Sequence, residues 1–151
     1  MKFKHNIINT LYLSPEDLEE VNIIQEKKYC EVRSKLQEWE EYNTDSADII
    51  VTAYGIAARI AKAAIVRAID EGINVGMIRP KVLWPFPEKA FDREMKSVLC
   101  VEMSRGQMVE DVRLAVNGRV NVDFYGRCGG MLPDEDEILE EIRRIAHENN
   151  M

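Results

Sequence analysis

Few of the side chains that ordinarily carry catalysis are present, and those that are stand apart. His5 and His147 lie near the two ends, while Cys30, Cys100 and Cys128 are odd in number, widely separated and without a Cys-x-x-Cys pair. That leaves too few soft ligands for a transition-metal site, no spacing for a zinc or iron-sulfur centre, and few general bases. Neither Gly-x-x-x-x-Gly-Lys nor Gly-x-Ser-x-Gly occurs, so phosphate-loop and serine-hydrolase chemistry lack their sequence signals. Tyr54-Gly55-Ile56-Ala57 has the outline of a dinucleotide fingerprint reduced to one glycine, and Arg79 stands near where a ribose-binding acid belongs. A plain strand-to-helix turn is the simpler reading. Glu102 ends an apolar run; it is either an acid or base of raised pKa or, more commonly, a carboxylate capping the amides of the following loop. Asp48 and Asp123 have no carboxylate partner in view, and Cys100 reads as a small core residue. In Leu83-Trp84-Pro85-Phe86-Pro87 two prolines stiffen a Trp and a Phe. Either these aromatics anchor a protein interface or the loop folds back on its own core. The glycines of Gly126-Arg127-Cys128-Gly129-Gly130 allow close approach of another backbone or a tight turn before the last helix.

The elements that must hold these residues follow from composition and periodicity. With 151 residues, 46% hydrophobic and 31% charged, the chain fits one soluble globular domain plus an appendage, large enough to form a core without disulfide or metal. A net charge of -7 argues against nucleic acid as a partner. No apolar run approaches a membrane span, and Met1 to Asn6 lacks a signal peptide's apolar stretch, so a cytoplasmic location is expected. Ser14-Pro15-Glu16-Asp17 reads as a helix start, and no Gly or Pro follows until after Tyr42. Leu18, Val21, Ile24, Tyr29, Val32, Leu36, Trp39 and Tyr42 predict one apolar stripe along a charged helix that packs on the following domain or a partner chain. A free coiled coil fits less well because the heptads slip between Ile24 and Tyr29. Residues 1–45 are thus expected to form an arm and connector helix, and 46–151 an α/β domain. Strands are predicted at Asp48–Tyr54, Val75–Arg79, Ser97–Glu102 and Val120–Tyr125; helices at Ala57–Glu71, Glu88–Lys96, Gln107–Val116 and from an Asp134/Glu137 capping pair onward. This alternation implies a mainly parallel sheet between helix layers, with any ligand outside the carboxyl ends of the strands.

Several of these segments together are similar to a known family. Ile50-Val51-Thr52-Ala53-Tyr54-Gly55, Gly76-Met77-Ile78-Arg79-Pro80 with Leu83 to Pro87, Val101-Glu102-Met103-Ser104 with Gly106-Gln107-Met108, and Phe124-Tyr125-Gly126-Arg127 with Gly129-Gly130 occur in order. From about Leu13 to Ile145 the chain resembles the C-terminal part of the alpha-type subunit of 2-oxoacid:ferredoxin oxidoreductases, nearest the branched-chain 2-ketoisovalerate type. The resemblance implies a transketolase C-terminal-like fold, a three-layer sandwich with about five strands, one of them antiparallel. It also implies a parent enzyme that decarboxylates a 2-oxoacid on thiamine diphosphate with magnesium, passes electrons through iron-sulfur clusters to ferredoxin, and forms an acyl-coenzyme A. In that family the cofactor site is built by a preceding domain and a beta-type subunit, and this domain assembles subunits. No catalytic, cofactor-binding or metal-binding residue carries over to this sequence.

The chain is therefore expected to have no turnover alone and to present an interface. Trp84 and Phe86 are the candidate aromatic anchors, with Arg79, Glu102, Gln107 and Arg127 around the strand ends. The expected partners are other subunits of the oxidoreductase or a second copy, with ferredoxin and coenzyme A reached only through the full complex. The alternative is an independent module holding a small anion or nucleotide at the amino end of the helix after Gly55 or after Gly106. A phospho-acceptor domain is disfavoured, because the first strand ends in Tyr54-Gly55 without an acidic pair and the third ends in Glu102 rather than Asp.

Overall fold

The computed structural model describes residues 10–150, so His5 and the expected arm at the extreme amino end lie outside the described residues. Two compact units divide at Lys35/Leu36. The first contains helix α1 (Pro15–Lys35). Its cap is as expected: the Ser14 hydroxyl oxygen accepts the Asp17 amide at 3.3 Å and its proton goes to Glu16 at 2.7 Å. Glu16 and Asp17 sit in the first turn and Arg33 and Lys35 in the last, each sign where the helix dipole favours it.

The predicted helix does not reach Tyr42. Residues Trp39–Tyr42 form strand β1 at the edge of the sheet of the second unit, Leu36–Met151. Trp39 and Tyr42 are three apart, which suits a helical stripe but puts side chains on opposite faces of a strand. Trp39 packs on one face of the sheet and Tyr42 on the other.

The second unit continues through β2 (Ile49–Ala53), α2 (Gly55–Asp70), β3 (Val75–Pro80), a 3-10 turn (Glu88–Phe91), β4 (Ser97–Glu102), α3 (Met108–Val116), β5 (Asn121–Gly126) and α4 (Glu135–Glu148). The sheet order is β1-β3-β2-β4-β5, with β1 antiparallel to β3 and the other pairings parallel. The central strands β2 and β4 are buried at every position, which is why they read as unbroken apolar runs. Val51, Ala53, Leu99 and Val101 face α2 and α4, where Ala57, Ala61, Ala64 and Ala68 let α2 lie close to the sheet. Ile50, Ile78, Val98 and Cys100 face α3 and the 3-10 turn. This is the three-layer sandwich with five strands, one antiparallel, that the family resemblance implies.

Two local expectations are corrected. The helix predicted over Glu88–Lys96 is only the short 3-10 turn, in which Phe91 is fully buried and its carbonyl accepts Arg119 Nη2 at 2.8 Å. At α4, Asp134 accepts the amides of Asp136 and Glu137 at 2.9 and 3.2 Å, but Glu137 does not reach back to complete the box. Its carboxylate takes the Tyr125 hydroxyl and Arg127 instead. Gly76 is required where the chain crosses β3, since a Cβ there would collide with the Asn43 carbonyl.

Candidate functional site

Strand order reverses between β2 and β4, so the crevice where open α/β sheets bind ligands is bounded by Tyr54-Gly55-Ile56 and by the turn after Glu102. Gly55 turns the chain at φ +60°, and Tyr54 offers no side-chain cap to α2. The turn after β4 is different. Glu102 is fully buried, and its two oxygens accept the Ser104 hydroxyl at 2.7 Å and the amides of Gln107, Met108 and Val109 at 3.1–3.2 Å. One side chain therefore satisfies the free donors at the amino end of α3, the positions an external anion would use. The capping reading of Glu102 holds. Gly106, at φ +106°, lets the loop close beneath the ring of Phe124.

Beside this turn, burial first and the Glu102 carboxylate second push the Cys100 thiol well above its ordinary value, which makes it a poor nucleophile. Among the described residues no three His, Cys, Asp or Glu side chains converge as metal ligands. With the α3 amides taken by Glu102 and Cys100 neutral in the core, the residues present do not fit a diphosphate cofactor or an iron-sulfur cluster. The anion alternative loses the α3 position for the same reason.

The six expected contact residues divide into two groups. Arg79, Trp84, Gln107 and Arg127 reach solvent along the carboxyl edge of the sheet. Arg79 pairs with Glu40 at 2.8 Å, a carboxylate shared with Lys81 at 3.1 Å, and Arg127 pairs with Glu137 at 3.1 Å. Trp84, 55% exposed, precedes a cis peptide to Pro85. Phe86 and Glu102 are internal: Phe86 stacks on Phe91 with centroids 5.8 Å apart. Within the α/β unit both are buried, so for Phe86 the structure favours the alternative in which the loop folds back on its own core. The loop folds its Phe onto the core and leaves its Trp outside.

Sequence reasoning missed the other apolar side chains on this edge. Ile56, Leu83, Met103, Met131 and Leu132 are all exposed, each in the segment that follows a parallel strand. The available signal was the pairing of such residues with adjacent turn formers, as in Met103-Ser104 and Gly130-Met131-Leu132. By contrast, a groove of about 1090 Å³ runs along the opposite, amino edge, lined by Glu41, Asp48, Asp92, Arg93, Lys96 and Arg119. Each of its cations is paired within it, Lys96 to Asp48 at 3.3 Å, Arg119 to Asp92 at 3.6 Å and Arg93 to Glu41, while Asp45 and Glu94 add two further carboxylates to the lining. Among the described residues no helix is long and apolar enough to cross a membrane.

Comparison with known proteins places this architecture in a family. Residues 47–138 match the family model for the pyruvate:ferredoxin oxidoreductase core domain II. Over 149 residues, 96% of this chain, it is 40% identical to the ketoisovalerate oxidoreductase subunit VorB of Methanothermobacter thermautotrophicus, of which it spans 42%. A solved 2-oxoglutarate:ferredoxin oxidoreductase from Magnetococcus marinus superposes on 89% of the chain with TM-score 0.76 and 23% identity, using 24% of that chain. A split-gene transketolase described as an inactive beta4 tetramer covers 73% of this chain and 41% of its own, at TM-score 0.59 and 14% identity. The fold is thus of the kind shared by 2-oxoacid oxidoreductases and transketolases. The chain belongs to the pyruvate:ferredoxin oxidoreductase core domain II family and is homologous to a stretch of the ketoisovalerate oxidoreductase subunit, less than half that subunit's length.

Proposed function

We propose that this chain is the subunit-assembly domain of a cytoplasmic 2-oxoacid:ferredoxin oxidoreductase of the branched-chain type, inactive alone. In that reading the whole enzyme converts a branched-chain 2-oxoacid to an acyl-coenzyme A and reduces ferredoxin. Thiamine diphosphate, magnesium and iron-sulfur clusters are held by parts of that enzyme other than this domain. The residues ahead of the α/β domain act as a connector, and Arg79, Trp84, Gln107 and Arg127 belong to the contact surface. The observation that carries the reading is the turn after β4: the anion-binding end of α3 is filled by the protein's own Glu102, while the loops around it turn apolar side chains outward. A cofactor-binding domain needs the reverse arrangement, free donors in a closed cleft.

The test is purification of the tagged chain from its own cells under native conditions. Oxidoreductase subunits should accompany it, and the assembly should reduce a viologen dye when given 2-ketoisovalerate and coenzyme A. The chain produced alone should show no such reduction; turnover without companions overturns the proposal.

A further inference from the structure

We infer that the carboxyl edge of the sheet is a docking surface for an acidic polypeptide face, apolar at its centre, with carboxylates set opposite Arg59 and Arg105. This rests on the assembly reading and adds what the partner must look like. The apolar part consists of Ile56, Leu83, Trp84, Met103, Met131 and Leu132, contributed by the segments after all four parallel strands. None of the exposed large apolar side chains among the described residues belongs to the segments at the amino edge, so the asymmetry is not a general property of these loops. Clustered exposed apolar surface of this sort marks contact with another protein.

The loops carrying it are held in place. Glu102 ties down the turn after β4, Phe86, two residues after Trp84, stacks on Phe91, and Tyr125 and Arg127 both bind Glu137, closing the segment that carries Met131 and Leu132. A partner meeting such a surface loses little entropy in ordering it.

The electrostatics select the partner. The chain carries a net charge of -7, yet Arg59, Arg79, Lys81, Arg105 and Arg127 all sit at this edge. Glu40 answers Arg79 and Lys81, and Glu137 answers Arg127. Arg59 and Arg105 are exposed and, among the described residues, no carboxylate lies within ion-pair distance of either. A small anion finds no free donors at α3, whose amides are spent on Glu102, and the cavity lined by Arg59 and Arg79 holds only about 120 Å³, below the size of nucleotide sites. Unanswered guanidinium groups on the same edge as exposed Trp and Met fit Asp and Glu at the rim of a protein interface.

The experiment compares the complex recovered through a tag on this chain with the chain alone, by hydroxyl-radical footprinting read by mass spectrometry. Trp84, Met103 and Met131 should be oxidised several-fold less in the complex, while Met95 at the amino edge keeps its reactivity. The double variant Arg59→Glu with Arg105→Glu should retain its thermal midpoint and lose about tenfold or more of the companion chains, with the remainder less sensitive to salt. Lys96→Glu with Arg119→Glu should recover companions at the level of the unaltered chain. Companions that bind while Trp84 and Met131 stay fully reactive, or that are indifferent to the double reversal, overturn this surface and leave the assembly reading intact. Recovery of no oxidoreductase subunit overturns both.

Discussion

The two ends of one sheet solve different problems. At the amino edge Lys96, Arg93 and Arg119 meet Asp48, Glu41 and Asp92, Asp45 and Glu94 add further carboxylates to the broader groove, and among the described residues no large apolar side chain is exposed. At the carboxyl edge the polar groups are consumed inwardly, by Glu102 on α3 and by Glu137 on Tyr125 and Arg127, while the outward surface is apolar and rimmed by Arg59 and Arg105. Groove size is therefore a poor guide to function in this fold. What separates the ends is exposed apolar surface, present at the carboxyl edge and, among the described residues, absent from the amino edge.

The sharpest way to break this contrast lies in the loop after β3, where two aromatics two residues apart have opposite roles. Phe86→Ala removes a buried ring from its stack on Phe91 and should cost about 3–4 kcal/mol of stability in urea unfolding. Trp84→Ala should cost less than about 1 kcal/mol and instead weaken recovery of companion chains. If Trp84→Ala proves as destabilising as Phe86→Ala, the carboxyl edge is core and not interface.

Close behind comes Glu102→Ala. It takes the acceptor from three amides and a hydroxyl, two of those amides buried, and should lower stability by about 3 kcal/mol. Asp48→Ala at the amino edge removes only an exposed partner of Lys96 and should change stability by about 0.5 kcal/mol or less. Comparable losses at the two positions would show that the turn after β4 is not a specially built cap.

Most of the sheet was legible because periodicity carries physical information where both faces are covered. β2 and β4 are buried throughout and read as apolar runs; α2 shows its alanine face. β1 was not legible from residues alone. A four-residue edge strand offers too little alternation to outweigh the helical spacing of Trp39 and Tyr42, and its pairing with β3 is a long-range fact. The family resemblance supplied an antiparallel strand without saying which residues form it. Glu102 was legible as a cap because strand-end carboxylates usually are. The apolar edge was not, since Ile56, Met103 and Met131 are scattered singly in the sequence and only the topology collects them.

Thr52 offers a smaller and oppositely signed effect. It is fully buried one residue before β2 ends, paired in register with Ile78 and Cys100, and its hydroxyl has no hydrogen-bond partner. By alternation it shares the α3 face with Ile50, so an apolar side chain of the same shape suits its surroundings. Thr52→Val should therefore raise stability by about 1 kcal/mol, read as a higher urea midpoint at unchanged slope. A loss of stability would mean that the hydroxyl has an acceptor beneath the carboxyl edge, and that this end is less dry than Phe86, Cys100 and Met108 make it.

The smallest effect tests the claim that the amino edge spends its charges on the fold. Burial raises the Glu41 pKa, but hydrogen bonds from Trp39 at 2.6 Å, Thr44 at 2.7 Å and Arg93, with the Arg93 charge, outweigh it and hold the carboxyl below its ordinary 4.5. Because the folded value lies below the unfolded one, the stabilisation is fully present above pH 4.5 and is lost as pH falls through the folded value. Glu41→Gln should thus narrow the difference in stability between neutral and acidic solution, by about 0.5 kcal/mol for this partly exposed group. Arg59→Glu at the other edge should leave that pH dependence unchanged, since among the described residues no carboxylate pairs with it. A flat response to Glu41→Gln together with a pH-dependent loss in Arg59→Glu would invert the assignment of the two edges.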